Sequence, residues 1–128
     1  MRLLLDTHTL LWWLTDDSRL GREAHAALKS GENTIYVSAV SAYEVALKHG
    51  MGKLPEATRL AREFIEEVEA AGFEPLSLSV REAQVAGRME NAHRDPFDRM
   101  LIAQAILRDL TLVSNEKLFD SFGVARLW

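Results

Sequence analysis

Short apolar runs alternate along this chain with longer stretches in which apolar residues recur at helical spacing. The first run, residues 2–5, predicts a buried strand because three consecutive leucines suit a sheet covered on both faces. Residues 34–37 are rich in β-branched and aromatic side chains, which favour strands. Further strands are predicted at residues 73–78, 111–113 and 124–127.

The stretches between these strands predict helices that each bury one face. In residues 60–71, for example, apolar side chains recur at helical spacing and charged side chains occupy the other face. The predicted helices are residues 7–14, 21–30, 39–49, 60–71, 80–90 and 96–108. Strands separated by helices throughout predict an α/β fold: a three-layer α/β/α sandwich around a mainly parallel sheet of four to five strands.

Composition narrows the class of protein. A length of 128 residues with 48% hydrophobic content predicts one domain, residues 1–128, with a real core. The absence of cysteine excludes disulfides, thiolate catalysis and cysteine zinc sites, and it fits a cytoplasmic location. No apolar run approaches the roughly 18 residues that span a bilayer, so neither a membrane anchor nor a signal peptide is expected. The net charge of −4 argues against a broad basic surface for nucleic acid.

Four carboxylates occur where a predicted strand passes into the next element: Asp6, Glu44, Asp98 and Glu116. Because the carboxyl ends of parallel strands share one edge of the sheet, we expect these side chains to meet in one cleft. Crowded carboxylates repel each other and either take up protons or hold a cation. An all-oxygen ligand set suits Mg²⁺, or Mn²⁺ as a substitute, and a metal in such a cleft points to phosphate chemistry. The four histidines have no HxxxH or HxH spacing, so zinc is not expected.

Helix capping is the alternative explanation for these acids, because helix N-termini favour acidic side chains. Asp6 could simply cap the helix at residues 7–14, and for Asp95, which precedes a proline, capping is the better explanation. Glu44 could belong to a capping box, but if Ser38 is the cap, Glu44 has no capping role. Glu116 alone could be a solvated loop residue.

The same residues, in the same order, resemble a PIN-domain ribonuclease of the VapC toxin type. The resemblance covers essentially the whole chain and is strongest in residues 94–105, which include the sequence Asp-Pro-Phe-Asp-Arg. It implies that Asp6, Glu44 and Asp98 are the family's first three acids. The fourth is placed at Glu116, with the adjacent Asn115 as the alternative.

This resemblance implies an Mg²⁺-dependent endoribonuclease that acts as the toxin of a toxin–antitoxin pair. The expected partners are RNA as substrate, a small cognate antitoxin that blocks the cleft, and a second copy of the toxin in a homodimer. DNA is expected only indirectly, through the antitoxin. In the hypothetical mechanism, Asp6 and Asp98 are the main metal ligands, Glu44 completes the shell or orients water, and Glu116 holds a second ion or the same water network.

Several other residues have both a supporting and a structural interpretation. Thr7 and Ser38 could each hydrogen-bond a carboxylate or serve only at a helix start. Arg99 could meet a phosphate, although pairing with Asp95 is the more ordinary expectation. Asp95 itself remains open between ligand and cap.

Basic residues and tryptophans are further candidates, for contacts with RNA and for a protein interface. Residues that could form a basic rim for the RNA backbone are Lys48, His49, Lys53 and Arg94, and His93 could touch substrate. A solvated helix end explains Lys48 and His49 slightly better. Trp12 and Trp13 point about 100° apart on a helix, so one is expected in the core and the other at a dimer or antitoxin interface.

Two other functions remain open. The first is a phosphatase or phosphotransfer domain with a nucleophilic aspartate, which Asp6 would suit by position, although the chain has no Asp-x-Asp-x-Thr sequence. The second is a non-catalytic interaction module that binds a partner helix through its acidic helix at residues 62–69. Carboxylates more than roughly 10 Å apart would favour this second alternative.

Overall fold

The strands form one parallel sheet, as the sequence predicts. The structure, a computed structural model, describes residues 1–90 and 95–128. Its strands are β1 (Arg2–Leu5), β2 (Thr34–Ser38), β3 (Glu74–Leu76), β4 (Thr111–Val113) and β5 (Arg126–Leu127). They lie in the order β3-β2-β1-β4-β5, and every neighbouring pair is parallel. The strands β3 and β5 are shorter than predicted; both lie at sheet edges, where each pairs on one side only.

Helices cover both faces of this sheet. They are α1 (Thr7–Leu14), α2 (Arg22–Lys29), α3 (Ala39–Gly50), α4 (Thr58–Arg62), α5 (Phe64–Ala70), α6 (Val80–Arg88) and α7 (Pro96–Arg108), with short 3₁₀ helices at Pro55–Ala57 and Lys117–Phe122. The prediction of one helix over 60–71 is wrong, because the backbone leaves helical geometry at Glu63 (φ −128°, ψ 48°). This break lets α4 pack on α3 while α5 packs beside β3.

The three leucines of β1 show how the core divides. All three are fully buried. Leu3 and Leu5 pack with apolar residues of α1, α2, α4 and α5, whereas Leu4 packs on the opposite face with residues of α7. Alternate strand residues face opposite sides of a sheet, so the run of leucines fills both layers of the predicted sandwich.

The adjacent tryptophans are both partly buried and contact different residues. Trp13 packs against Phe73, with 6.1 Å between ring centroids, and lies against the buried core. Trp12 instead contacts His8 and Trp128. None of the helices in the described part of the chain combines the length and apolar character needed to cross a membrane.

Candidate active site

A small cavity lies at the carboxyl ends of β1, β2 and β4. It encloses about 160 Å³. Its lining includes Asp6, Thr7, His8, Glu44, Lys48, Asp95, Asp98, Asn115, Glu116 and Phe119. The prediction that the four acids share one cleft is therefore confirmed, whereas their role in binding metal stays a prediction.

Asp6 both caps a helix and lines the cavity. It follows β1 directly, and its Oδ1 accepts a hydrogen bond of 2.8 Å from the backbone N–H of Thr9. The hydroxyl of Thr9 in turn donates to the carbonyl oxygen of Val113 at 2.9 Å, which fixes the start of α1 against the end of β4. Asp6 can therefore cap the helix and act in the site at the same time, because the cap uses only one of its two carboxylate oxygens.

Asp95 and Asp98 bring the start of α7 to the same cavity. Asp95 is the cap: its Oδ1 accepts from the backbone N–H groups of Phe97 at 2.9 Å and Asp98 at 3.4 Å. Asp98 lies in the first turn, and both carboxylates line the cavity. The positive end of a helix therefore points at these acids and partly offsets their repulsion.

Glu44 is held by partners at both carboxylate oxygens. Ser38 is the cap of α3, with its Oγ accepting from the backbone N–H of Val40 at 3.0 Å, so Glu44 has no capping role. The hydroxyl of Thr7 donates to Oε1 of Glu44 at 2.6 Å. The ammonium of Lys48, one turn later on α3, donates to Oε2 at 2.5 Å. Glu44 itself is buried.

Asn115 and Glu116 both line the cavity from the segment after β4. The backbone N–H of Glu116 donates to Oγ of Ser114 at 3.0 Å, which orders the turn that carries both side chains. Either residue can supply the fourth oxygen donor at this position.

The sequence of this chain is similar to the sequences of known proteins. The sequence profile of the PIN domain family matches residues 3–124, nearly the whole chain. The chain belongs to the PIN domain family. Ribonuclease VapC22 of Mycobacterium tuberculosis is 28% identical over 122 residues, which cover 93% of this chain and 90% of that protein.

Solved structures share the fold of this PIN domain. One is the crystal structure of VapBC2 from Rickettsia felis bound to a DNA fragment from their promoter, with a TM-score of 0.69 at 16% identity over 99% of this chain and 98% of that chain. Another is a toxin–antitoxin complex from Klebsiella pneumoniae, with a TM-score of 0.57 at 21% identity over 90% of this chain and 87% of that chain. The expected PIN-like α/β fold is thereby confirmed.

The supporting residues named from the sequence have different positions in this PIN domain. Thr7 does hydrogen-bond a carboxylate, that of Glu44. Ser38 is fully buried and serves as a helix cap. Arg99 neither pairs with Asp95 through its side chain nor lines the cavity, because its guanidinium donates to the carbonyl oxygens of Ala86, Gly87 and Met89 at the end of α6. Those carbonyls lie at a helix end, where intrahelical partners are missing.

The predicted basic rim is only partly described. Arg94 and His93 lie outside the described residues. Nε2 of His49 lies 2.9 Å from the hydroxyl of Thr58 in α4, and His49 is not among the described residues that line the cavity. Lys48 differs from the favoured interpretation as a solvated helix end, since its ammonium lies in the cavity on Glu44. The four-residue spacing of Glu44 and Lys48 is the sequence signal for this pair.

The donor set of the cavity fits a hard divalent cation. Its described lining carries five carboxylates and one lysine, so negative charge is undercompensated. No group of three or more acidic, histidine or cysteine side chains in residues 1–90 and 95–128 could hold a metal ion on its own. Mg²⁺ does not require such a group, because it commonly keeps several waters and uses one or two carboxylates plus substrate phosphates.

Proposed function

We propose that this PIN domain is an Mg²⁺-dependent endoribonuclease and the toxin of a toxin–antitoxin pair. The observation that carries the proposal is the cavity in which Asp6, Glu44, Asp98 and Glu116 meet, at the sheet edge where α/β proteins bind ligands. The relative in Mycobacterium tuberculosis is named a ribonuclease, which supports RNA as the substrate.

In this proposal Asp6 and Asp98 hold the metal ion, and Asn115 or Glu116 supplies a further oxygen donor. When bound, Mg²⁺ provides an activated water and neutralises charge at the scissile phosphodiester. The protein fixes the geometry: the caps at the starts of α1 and α7 use Oδ1 of Asp6 and of Asp95. The second oxygen of Asp6 is thus held in place without being used by the helix.

The proposed partners are a small antitoxin and a second copy of the chain. A solved structure of this fold is described as a toxin–antitoxin complex, which supports an antitoxin partner. Two residues of α3, Tyr43 and Leu47, and the residue that follows the helix, Met51, are four positions apart and exposed. Such an apolar stripe supports association, and we propose that it is covered in a homodimer. The proposed location is the cytoplasm, and contact with DNA would occur only through the antitoxin.

The chemistry is tested by incubating purified protein with total RNA and with labelled RNA oligonucleotides. We expect cleavage with Mg²⁺, none with excess EDTA, and recovery when Mn²⁺ is added. Cleavage that persists in EDTA would contradict the metal requirement. A phosphoryl group trapped on Asp6, without any RNA cleavage, would favour the aspartate phosphatase instead.

The partner proposals need separate measurements. Light scattering of the purified chain should give twice its mass of 14.4 kDa if the homodimer forms. A small reading frame directly upstream in the genome, whose product binds the chain and stops cleavage, would support the toxin role. Cleavage without such a partner would indicate a nuclease with another cellular role.

A further inference from the structure

We infer that Lys48 contacts the phosphate of the RNA substrate, and that Glu44 positions this lysine and does not bind the metal ion. The inference rests on the proposed function, since it names a substrate-binding residue of the same site. It departs from the expectation that Glu44 completes the metal shell.

The geometry of α3 places the lysine at the cavity. The ammonium of Lys48 lies 2.5 Å from Oε2 of Glu44 and 5.9 Å from the ring centroid of Phe97. Its side chain is 33% exposed, whereas that of Glu44 is 7% exposed. Both side chains line the cavity, and the lysine is the more accessible partner of the pair.

Glu44 is poorly placed to serve as a metal ligand in this arrangement. Its Oε1 accepts from Thr7 and its Oε2 from Lys48, so each oxygen already has a hydrogen-bond donor. An ion bound at Oε2 would lie next to the ammonium of Lys48, whose positive charge repels it, and an ion at Oε1 would share that oxygen with the hydroxyl of Thr7. This pairing also agrees with the absence of a three-acid metal group in the described part of the chain.

An RNA backbone needs a cation at this site. The described lining presents five carboxylates, which repel a phosphodiester, and Lys48 carries its one permanent positive charge. A divalent ion offsets part of the repulsion, but it leaves the other phosphate oxygens without a donor. Hydrogen bonds between an ammonium and a phosphate oxygen are charge-assisted and strong, so Lys48 is suited to hold the substrate.

The test compares Lys48→Gln, Lys48→Arg and Glu44→Gln with the wild type, and uses Lys29→Gln as control. Lys29 is exposed at the end of α2, so this control removes the same charge away from the cavity. Three quantities are measured: kcat and KM for RNA cleavage in Mg²⁺, the dependence of kcat/KM on salt, and the affinity for Mn²⁺ without RNA. Melting temperatures confirm that each variant is folded.

We expect Lys48→Gln to lower kcat/KM by at least about tenfold, the effect of losing one hydrogen bond to a charged group. The slope of log kcat/KM against log salt should become shallower by about 0.7, the value for one lost contact to a single-stranded backbone. Lys48→Arg should recover part of the activity. Glu44→Gln should lower kcat/KM as well, yet bind Mn²⁺ no more weakly than the wild type.

Two results would overturn the inference alone. One is wild-type kcat/KM and salt slope in Lys48→Gln, which would make the lysine a mere counter-ion. The other is a loss of Mn²⁺ affinity in Glu44→Gln, which would make Glu44 a metal ligand. If the wild type itself does not cleave RNA in Mg²⁺, the proposed function fails and this inference fails with it.

Discussion

Two buried glutamates of this PIN domain have a lysine or arginine partner, yet their surroundings are opposite. Glu82, at the start of α6, is surrounded by donors: Arg108 Nε at 2.5 Å from Oε2, and the backbone N–H of Ser79 at 2.8 Å and Gln104 Nε2 at 3.3 Å from Oε1. Glu44 lies beside four further carboxylates of the cavity lining and has Lys48 as its cation. Around Glu82 the fold supplies a guanidinium for one carboxylate, whereas the described lining of the cavity has one lysine for five carboxylates.

The difference separates a carboxylate whose charge the fold compensates from one that lies in a cavity with other carboxylates. Burial raises the pKa of Glu82, but the hydrogen bonds from Arg108, Ser79 and Gln104 outweigh it and lower that pKa from 4.5 to about 2. A carboxylate bound so well in its charged form stabilises the folded state. An undercompensated acidic cluster stores repulsion, which a bound cation relieves.

The largest effect expected from this contrast is on activity. Asp6→Asn or Asp98→Asn should lower RNA cleavage by at least about a hundredfold, because each removes a charged oxygen that we assign to the metal ion. Stability should remain within about 1 kcal/mol in both variants. At the cap position of Asp6, Asn is as good as Asp, and at Asp98, in the first turn of α7, losing a negative charge near a helix N-terminus costs at most about 1 kcal/mol. Cleavage rates and urea unfolding of each variant measure the two quantities. Wild-type cleavage in either variant would remove the catalytic assignment.

The second prediction is that a substitution at Glu82 lowers stability and leaves activity unchanged. Glu82→Gln should lower the free energy of unfolding by about 3 kcal/mol, because it leaves the guanidinium of Arg108 without its charged partner. Activity per folded molecule should not change, since Glu82 does not line the cavity. The matched control is Glu66→Gln on the exposed face of α5, which should shift stability by no more than about 0.5 kcal/mol. Equal losses in both variants would contradict the special role of the Glu82 network.

The third prediction concerns acid. Because the folded pKa of Glu82 is depressed, its stabilisation is fully present above pH 4.5 and is lost as pH falls toward about 2. From a pH near 7 to pH 3, this group should account for about 2 kcal/mol of lost stability. The pKa of Asp17 is also lowered to about 2, by hydrogen bonds from Arg19, and Asp17 titrates over the same range in the wild type and in Glu82→Gln.

Comparing the wild type with Glu82→Gln therefore isolates the contribution of Glu82. The stability difference between them should shrink as pH falls, in urea titrations at several pH values. A difference that stays constant to pH 3 would show that the carboxylate of Glu82 is not held in its charged form.

Sequence periodicity predicted much of the fold, and strand topology predicted the acidic cavity. The bounds of β1, α1, α7 and β4 agree with prediction, because an apolar run or a capping aspartate marks each. Because the carboxyl ends of parallel strands share one edge of the sheet, four side chains could be predicted to lie close together: Asp6, Glu44, Asp98 and Glu116. That argument needs no knowledge of side-chain packing.

Pairings between helices could not be predicted in this way. Glu82 lies near the start of a predicted helix, but its burial and its pairing with Arg108 depend on how α6 packs against α7. Arg99 was expected to pair with Asp95, with a phosphate as the alternative, but its guanidinium donates to carbonyl oxygens at the end of α6. The break at Glu63 likewise depends on α4 packing on α3, which the amphipathic pattern of residues 60–71 does not encode.

The smallest effect that we predict is that of a substitution at Thr7. It tests whether the Thr7–Glu44 hydrogen bond contributes to activity or only to stability. Thr7→Val keeps the shape of the side chain but removes the donor to Oε1 of Glu44, and it should cost about 1 kcal/mol of stability. If Glu44 positions Lys48, kcat/KM should also fall, by less than about tenfold, because Lys48 still holds the other carboxylate oxygen. Thr7→Ser retains the hydroxyl and should match the wild type in both measurements. A stability loss with unchanged kcat/KM would show that the Thr7–Glu44 hydrogen bond stabilises the fold, like the hydrogen bonds of Glu82, and does not contribute to RNA cleavage.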